Sequence, residues 1–150
     1  MYFVDRKKIN ATLSYMKVIV PLLEKSQALC SDAIGELALE RMAQNIIESI
    51  TDVGNSMIDG FIMRDPGSYE DIIDILVDEK VIPARMDGPI KEVLALRKML
   101  VRDFVSVNHQ EVAITMQENL DVLKQFPEYI EHYLNHELGP VSAFLPEDEA

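Results

Sequence analysis

The run Leu39-Glu40-Arg41-Met42-Ala43-Gln44-Asn45-Ile46-Ile47-Glu48-Ser49-Ile50-Thr51-Asp52 repeats with the period of a helix, not of a strand. At about 100° per residue, Arg41, Asn45, Glu48, Asp52 and the later Asp59 fall within about 40° of one line. Leu39, Ala43, Ile46, Ile50, Met57 and Phe61 lie opposite. The second set is a core stripe and the first a polar stripe. A helix of this length with one apolar side needs other helices to cover it.

The sequence on either side supplies them. No segment alternates polar and apolar residues for six positions, and no Asn-Gly or Asp-Gly turn joins two such segments. Asp5 is a good N-cap for a first helix running toward Ala28, which Pro21 should kink or divide. Ser31 or Asp32 caps the second helix, which ends at Gly60, a natural C-cap. After a loop over 65–67, Ser68 caps a short third helix, with Asp71 in the capping-box position, ending near Glu79. Residues 81–88 form a second loop, and Pro89 suits the first turn of a fourth helix reaching about Phe104. Asn108 with Glu111 caps a fifth helix to Gln125, and Pro127 begins a last short helix to about Leu138. The predicted fold is all-α: an up-and-down bundle of four main helices plus a short one. Residues 1–138 form the helical domain and 139–150 an acidic tail.

Composition narrows the function. In 150 residues, 14 Lys and Arg stand against 26 Asp and Glu, a net charge of −12. That argues against loose, charge-driven binding to nucleic acid or to an anionic membrane. With 48% apolar residues, wholesale disorder is excluded as well. The single cysteine, Cys30, rules out an internal disulfide framework and suits a reducing compartment. Charges interrupt every apolar run well short of the roughly 18 residues of a membrane span, and the N-terminus lacks the order of a secretion signal. A cytoplasmic protein is expected. The first 25 residues are net basic, with Arg6, Lys7, Lys8, Lys17 and Lys25 against Asp5 and Glu24, and are read as a solvated face.

One residue stands out. On the predicted fourth helix, Ile90, Val93, Leu94, Leu100, Val101 and Phe104 cluster in one direction, and Arg97 sits in the middle of them. A guanidinium does not lose its proton, so burial demands a carboxylate or several acceptors. Two readings follow. One is an ion pair with Glu48 or Asp52 across the bundle, or an arginine in a subunit interface; the other is a phosphate-binding arginine in a cleft.

The residues resemble those of the HepT-like proteins of the HEPN superfamily. The likeness is carried by Arg41 through Asp52, by Pro66-Gly67-Ser68-Tyr69-Glu70-Asp71 continuing to Ile75-Leu76 and Val81-Ile82, and by Leu96-Arg97. It spans roughly residues 1–135. The resemblance implies an all-α two-fold homodimer, a ribonuclease toxin, and a small nucleotidyltransferase antitoxin as partner. It implies metal-independent RNA cleavage without a cofactor, by a motif of arginine, usually followed by asparagine, then histidine four to six residues on. The histidine would move protons and the arginine would stabilise phosphate charge. In relatives with a nucleotidyltransferase partner, a tyrosine two residues after the histidine accepts a silencing modification.

This chain departs from the motif. Arg97 is present, but Lys98 stands in the asparagine position, Arg102 in the histidine position and Phe104 in the tyrosine position. An arginine, with pKa above about 12, is no general base at neutral pH, and phenylalanine has no hydroxyl to modify. The expected reading is a nuclease lost or strongly reduced, with Arg97 contacting phosphate if RNA is bound at all. Glu48, Asp52, Arg41, Lys98 and Phe104 would line its cleft. The alternative is a non-catalytic dimeric scaffold that binds a protein or nucleotide partner. His109, twelve residues beyond Arg97, is too far along to fill the motif, though it could approach from the start of the fifth helix. His132 and His136, with Glu128 a turn earlier, share a helix face but are read as solvated histidines rather than metal ligands. Cys30 has no neighbouring activator in the sequence and is read as an inert thiol.

Overall fold

The computed structural model describes residues 3–139. The eight α-helices among them are α1 (Arg6–Ile19), α2 (Ser26–Leu29), α3 (Ala33–Gly60), α4 (Tyr69–Asp78), α5 (Asp87–Leu94), α6 (Arg97–Val101), α7 (His109–Glu118) and α8 (Leu120–Leu138). No strand occurs among the described residues. The long helix α3 runs through the middle, against α1 on one side, α4 and α6 on another, and α2 and α7 at its N-terminal end. Helix α8 closes the bundle against α1, α5 and α7.

Local chemistry accounts for most of these boundaries. The Asp5 carboxylate accepts from the Lys8 amide and starts α1. Pro21 divides the first helix as expected, and the chain continues from α1 through a 3-10 segment, Val20–Lys25, into α2. The Asp32 carboxylate accepts from the Gly35 amide at 2.7 Å and starts α3. Ser68 accepts from the Asp71 amide to start α4, and Asn108 accepts from the Glu111 amide to start α7. The core stripe on α3 is buried throughout, including Leu39, Ala43, Ile46, Ile50, Met57 and Phe61. It packs with Ile9 and Leu13 of α1, Ile73 and Leu76 of α4, and Phe126 and Ile130 of α8 in one hydrophobic cluster. Arg41, Asn45, Glu48, Asp52 and Asp59 stay partly or fully exposed, as the wheel requires.

The structure corrects four readings. Gly60 is the last residue of α3, and the left-handed position falls on Ile62 (φ 56°). What Gly60 provides is room: a Cβ there would meet Val4 Cγ2 at 2.9 Å, where the N-terminal segment crosses and the Phe3 amide donates to the Gly60 carbonyl. The fourth helix is not continuous. It breaks at Ala95-Leu96 and ends at Val101, so Phe104 lies in a 3-10 turn, Phe104–Ser106, and is 64% exposed instead of completing the apolar stripe. The last two helices divide at Asn119, not Pro127. The Asn119 amide side chain donates to the Thr115 carbonyl, completing the end of α7. Pro127, without an N–H, is then absorbed inside α8 and buried. Finally, Arg6 is not part of a solvated basic face: it is buried, at 4% exposure. Of the predicted acidic tail, residues 140–150 lie outside the described residues.

Candidate functional site

Arg97 is the first residue of α6, immediately after the break. Its side chain lies against α3 and α4. Its Nε lies 3.5 Å from Glu48 Oε1, and its Cζ sits 4.5 Å from the centroid of the Tyr69 ring. The ion pair anticipated with Glu48 is therefore present, while Asp52 does not reach Arg97 within salt-bridge distance among the described residues. The Arg97 side chain is 27% exposed and Glu48 45%. The inner Nε is buried without a hydrogen bond. The outer nitrogens, which present the fork that matches phosphate oxygens, have no protein partner among the described residues.

The platform under Arg97 is built by its own loop. Asp71 accepts two parallel hydrogen bonds from Arg64, both at 2.8 Å, and a third from the Gly67 amide at 2.8 Å. These bonds, the Arg64 fork first and the Gly67 amide second, hold the Asp71 carboxyl down at about 2, against an ordinary 3.8. They also fix the start of α4, and with it Tyr69. The guanidinium over the Tyr69 ring gains from the ring's quadrupole.

The other predicted residues scatter around this centre. Asp52 is exposed one turn along α3, in a shallow groove with Glu48, Asn45 and Tyr15, whose hydroxyl accepts from the Asn45 amide. Arg41 and Lys98 are exposed. Arg102 is exposed at the C-cap of α6, and among the described residues neither it nor Phe104 has a hydrogen bond, ion pair or ring contact with Arg97. His109 goes elsewhere. Its Nε2 lies 2.7 Å from Glu40 Oε2 and its Nδ1 3.5 Å from Glu36 Oε2. Glu40 and Glu48 are eight residues, about 12 Å of helix axis, apart, so His109 does not complete a site around Arg97. The Cys30 thiol donates to the Ser26 and His109 carbonyls, and burial followed by the nearby Glu36 pushes its pKa up. Such a thiol is a poor nucleophile. His132 and His136 stand exposed, rings nearly parallel with centroids 6.4 Å apart. Among the described residues no group of three or more His, Cys, Asp or Glu is placed to hold a metal ion, and no helix is long and apolar enough to cross a membrane.

Sequence reasoning missed Tyr69 as a partner of Arg97. It used Tyr69 as part of the run Pro66 to Asp71 that carries the family resemblance. The two are 28 positions apart on different helices, and no spacing rule connects them.

The described residues thus form an all-α bundle around α3 that carries an open-forked arginine. The chain belongs to the Ribonuclease HepT-like family, which its residues 9–130 match. It is 49% identical over 144 residues to a Bacillus subtilis (strain 168) protein, YutE, described as a candidate RNase; the match covers 96% of this chain and 99% of YutE. The solved structure of YutE, a cytosolic protein from Bacillus subtilis, superposes with a TM-score of 0.91 at 47% identity, covering 96% of this chain and 100% of that one. A tri-AMPylated Shewanella oneidensis HEPN toxin in complex with MNT antitoxin shares the fold at a TM-score of 0.73 and 19% identity, over 83% of this chain and 96% of the toxin.

Proposed function

We propose that this chain is a cytoplasmic, dimeric HepT-like protein in which phosphate recognition by Arg97 survives and RNA cleavage is lost or strongly attenuated. The observation that carries the reading is the contrast between Arg97 and its surroundings. Its guanidinium is held between Glu48 and Tyr69 with the outer nitrogens free. Among the described residues no histidine is bonded to it, and its one carboxylate partner, Glu48, is engaged as its counter-charge. General acid–base help contributes about 10²–10⁴-fold to such reactions, and Arg102 in the motif's histidine position supplies none of it. Phe104, in the motif's tyrosine position, leaves no hydroxyl for a silencing modification. A minimal nucleotidyltransferase antitoxin as partner accords with the MNT antitoxin bound to the Shewanella relative.

The test is RNA cleavage by purified protein in the presence of a chelator. Wild type is expected at background. Arg102→His combined with Phe104→Tyr is expected to raise cleavage at least about tenfold, and adding Arg97→Ala to abolish that gain. Robust wild-type cleavage removed by Arg97→Ala contradicts the proposal.

A second reading, a non-catalytic dimeric scaffold that binds a protein or nucleotide partner, has its own support. Tyr15, Val18 and Leu22 form an exposed apolar stripe along α1 and the 3-10 segment after it, and Ile34 and Leu37 are exposed near the start of α3. A copurifying nucleotidyltransferase and growth arrest by the Arg102→His, Phe104→Tyr variant favour the first reading. Stable dimers without either favour the second.

A further inference from the structure

Arg6 is the buried cation among the described residues, and no carboxylate of those residues pairs with it. Its Nη1 donates to the Gly139 carbonyl at 2.9 Å and its Nη2 to Asn135 Oδ1 at 2.7 Å, both neutral acceptors. Its Nε is buried with no hydrogen-bond partner among the described residues. A guanidinium taken out of water without a counter-charge is costly, and neutral acceptors compensate only part of that cost. Arg97, far more exposed, has Glu48; Arg6 has no equivalent.

The side chain lines a cavity of about 240 Å³ between α1 and α8. Asn10, Ser14 and Lys17 come from successive turns of α1, and Glu131 and Asn135 from α8. Beside Leu13 and Leu134, the wall offers hydrogen-bond donors from a guanidinium, an ammonium, a hydroxyl and two amides. Its one carboxylate, Glu131, is already engaged by Lys17. Two cations against one acid leave the cavity net positive, on a protein whose net charge is −12. This cavity is separate from the Arg97 site and has no part in the proposed function.

We propose that the Arg6 cavity binds a small oxyanion, a carboxylate or phosphate group, which supplies the missing counter-charge. Two sources offer that chemistry: a free small-molecule anion, or the chain's own Glu147, Asp148 and Glu149, which follow Gly139 closely enough for up to about 26–29 Å of extended chain to reach back.

The experiment is thermal unfolding of the full chain titrated with inorganic phosphate, and separately acetate, at ionic strength fixed with chloride. Three proteins are compared: wild type, a tail variant carrying Glu147→Gln, Asp148→Asn and Glu149→Gln, and Ser14→Leu, which fills the cavity from its rim without touching the buried guanidinium. A saturable rise in Tm of about 2 °C or more in wild type, at least halved in Ser14→Leu, identifies a free anion. The same saturable rise seen only once the tail is neutralised identifies the tail as the occupant. Phosphate also stabilises proteins by exclusion from their surface, which gives an unsaturating rise. An unsaturating rise, or no rise, in both wild type and the tail variant overturns the proposal, as does a saturable rise unchanged by Ser14→Leu.

Discussion

Two arginines, Arg97 and Arg6, behave oppositely to their sequence context. Arg97 sits in an apolar pattern and ends up half-exposed; Arg6 sits in a basic run and ends up buried. The reason is geometric. Arg97 finds Glu48 of α3 and the Tyr69 ring of α4 beside the stripe and keeps part of its surface open there. Arg6 is drawn in by acceptors on α8, Asn135 and Gly139, more than 125 positions away. Asp71 gives a test at the same scale. Its carboxyl is held at about 2 in the folded state against an ordinary 3.8, so the folded state favours its ionised form. The stabilisation is present above about pH 4 and fades as pH falls toward 2. The Tm difference between wild type and Asp71→Asn is therefore expected to shrink between about pH 5 and pH 2. A gap that stays constant over that range would show that the bonds from Arg64 and Gly67 contribute nothing to it.

Element boundaries written in capping chemistry were legible. Asp5, Asp32, Ser68 and Asn108 each accept from the amide three residues on, as their side chains and positions foretold. Boundaries set by packing were not. Ala95 and Leu96 are good helix formers and keep helical backbone angles, yet the hydrogen bonding tightens there to Leu96 N–H donating to the Val93 carbonyl and α5 ends. Pro127 is a helix breaker by rule, yet it lies inside α8. At Gly54 the close approach of α3 and α4 has a direct consequence. A Cβ there would meet Ile72 Cγ2 at 2.4 Å, on a β-branched side chain with little freedom to move. Gly54→Ala is expected to destabilise the protein by about 1–3 kcal/mol despite the better helix propensity of alanine. Denaturant unfolding measures this, and an unchanged or raised midpoint would mean that the two helices separate freely.

At the scale of the whole molecule, the helical class followed from the period of one run, and the arrangement around α3 from its single apolar stripe. The pairing of Arg97 with Glu48 was among the alternatives open from the sequence; its stacking on Tyr69, joined through a loop and two helices, was not. The proposed homodimer makes an expectation for the exposed stripe Tyr15, Val18 and Leu22. A Val18→Glu substitution places a charge in that patch and is expected to shift sedimentation from dimer toward monomer while leaving helicity intact. A wild-type monomer at micromolar concentration, or a variant dimer as tight as wild type, would remove α1 from the interface. The proposal as a whole rests on a phosphate-contacting arginine without a proton carrier beside it. Incubating purified wild-type protein with RNA under chelation addresses that directly. The RNA should survive at the rate seen without protein, whereas cleavage that vanishes in Arg97→Ala would mean that the chain is a working ribonuclease whose proton-transfer residue lies somewhere other than position 102.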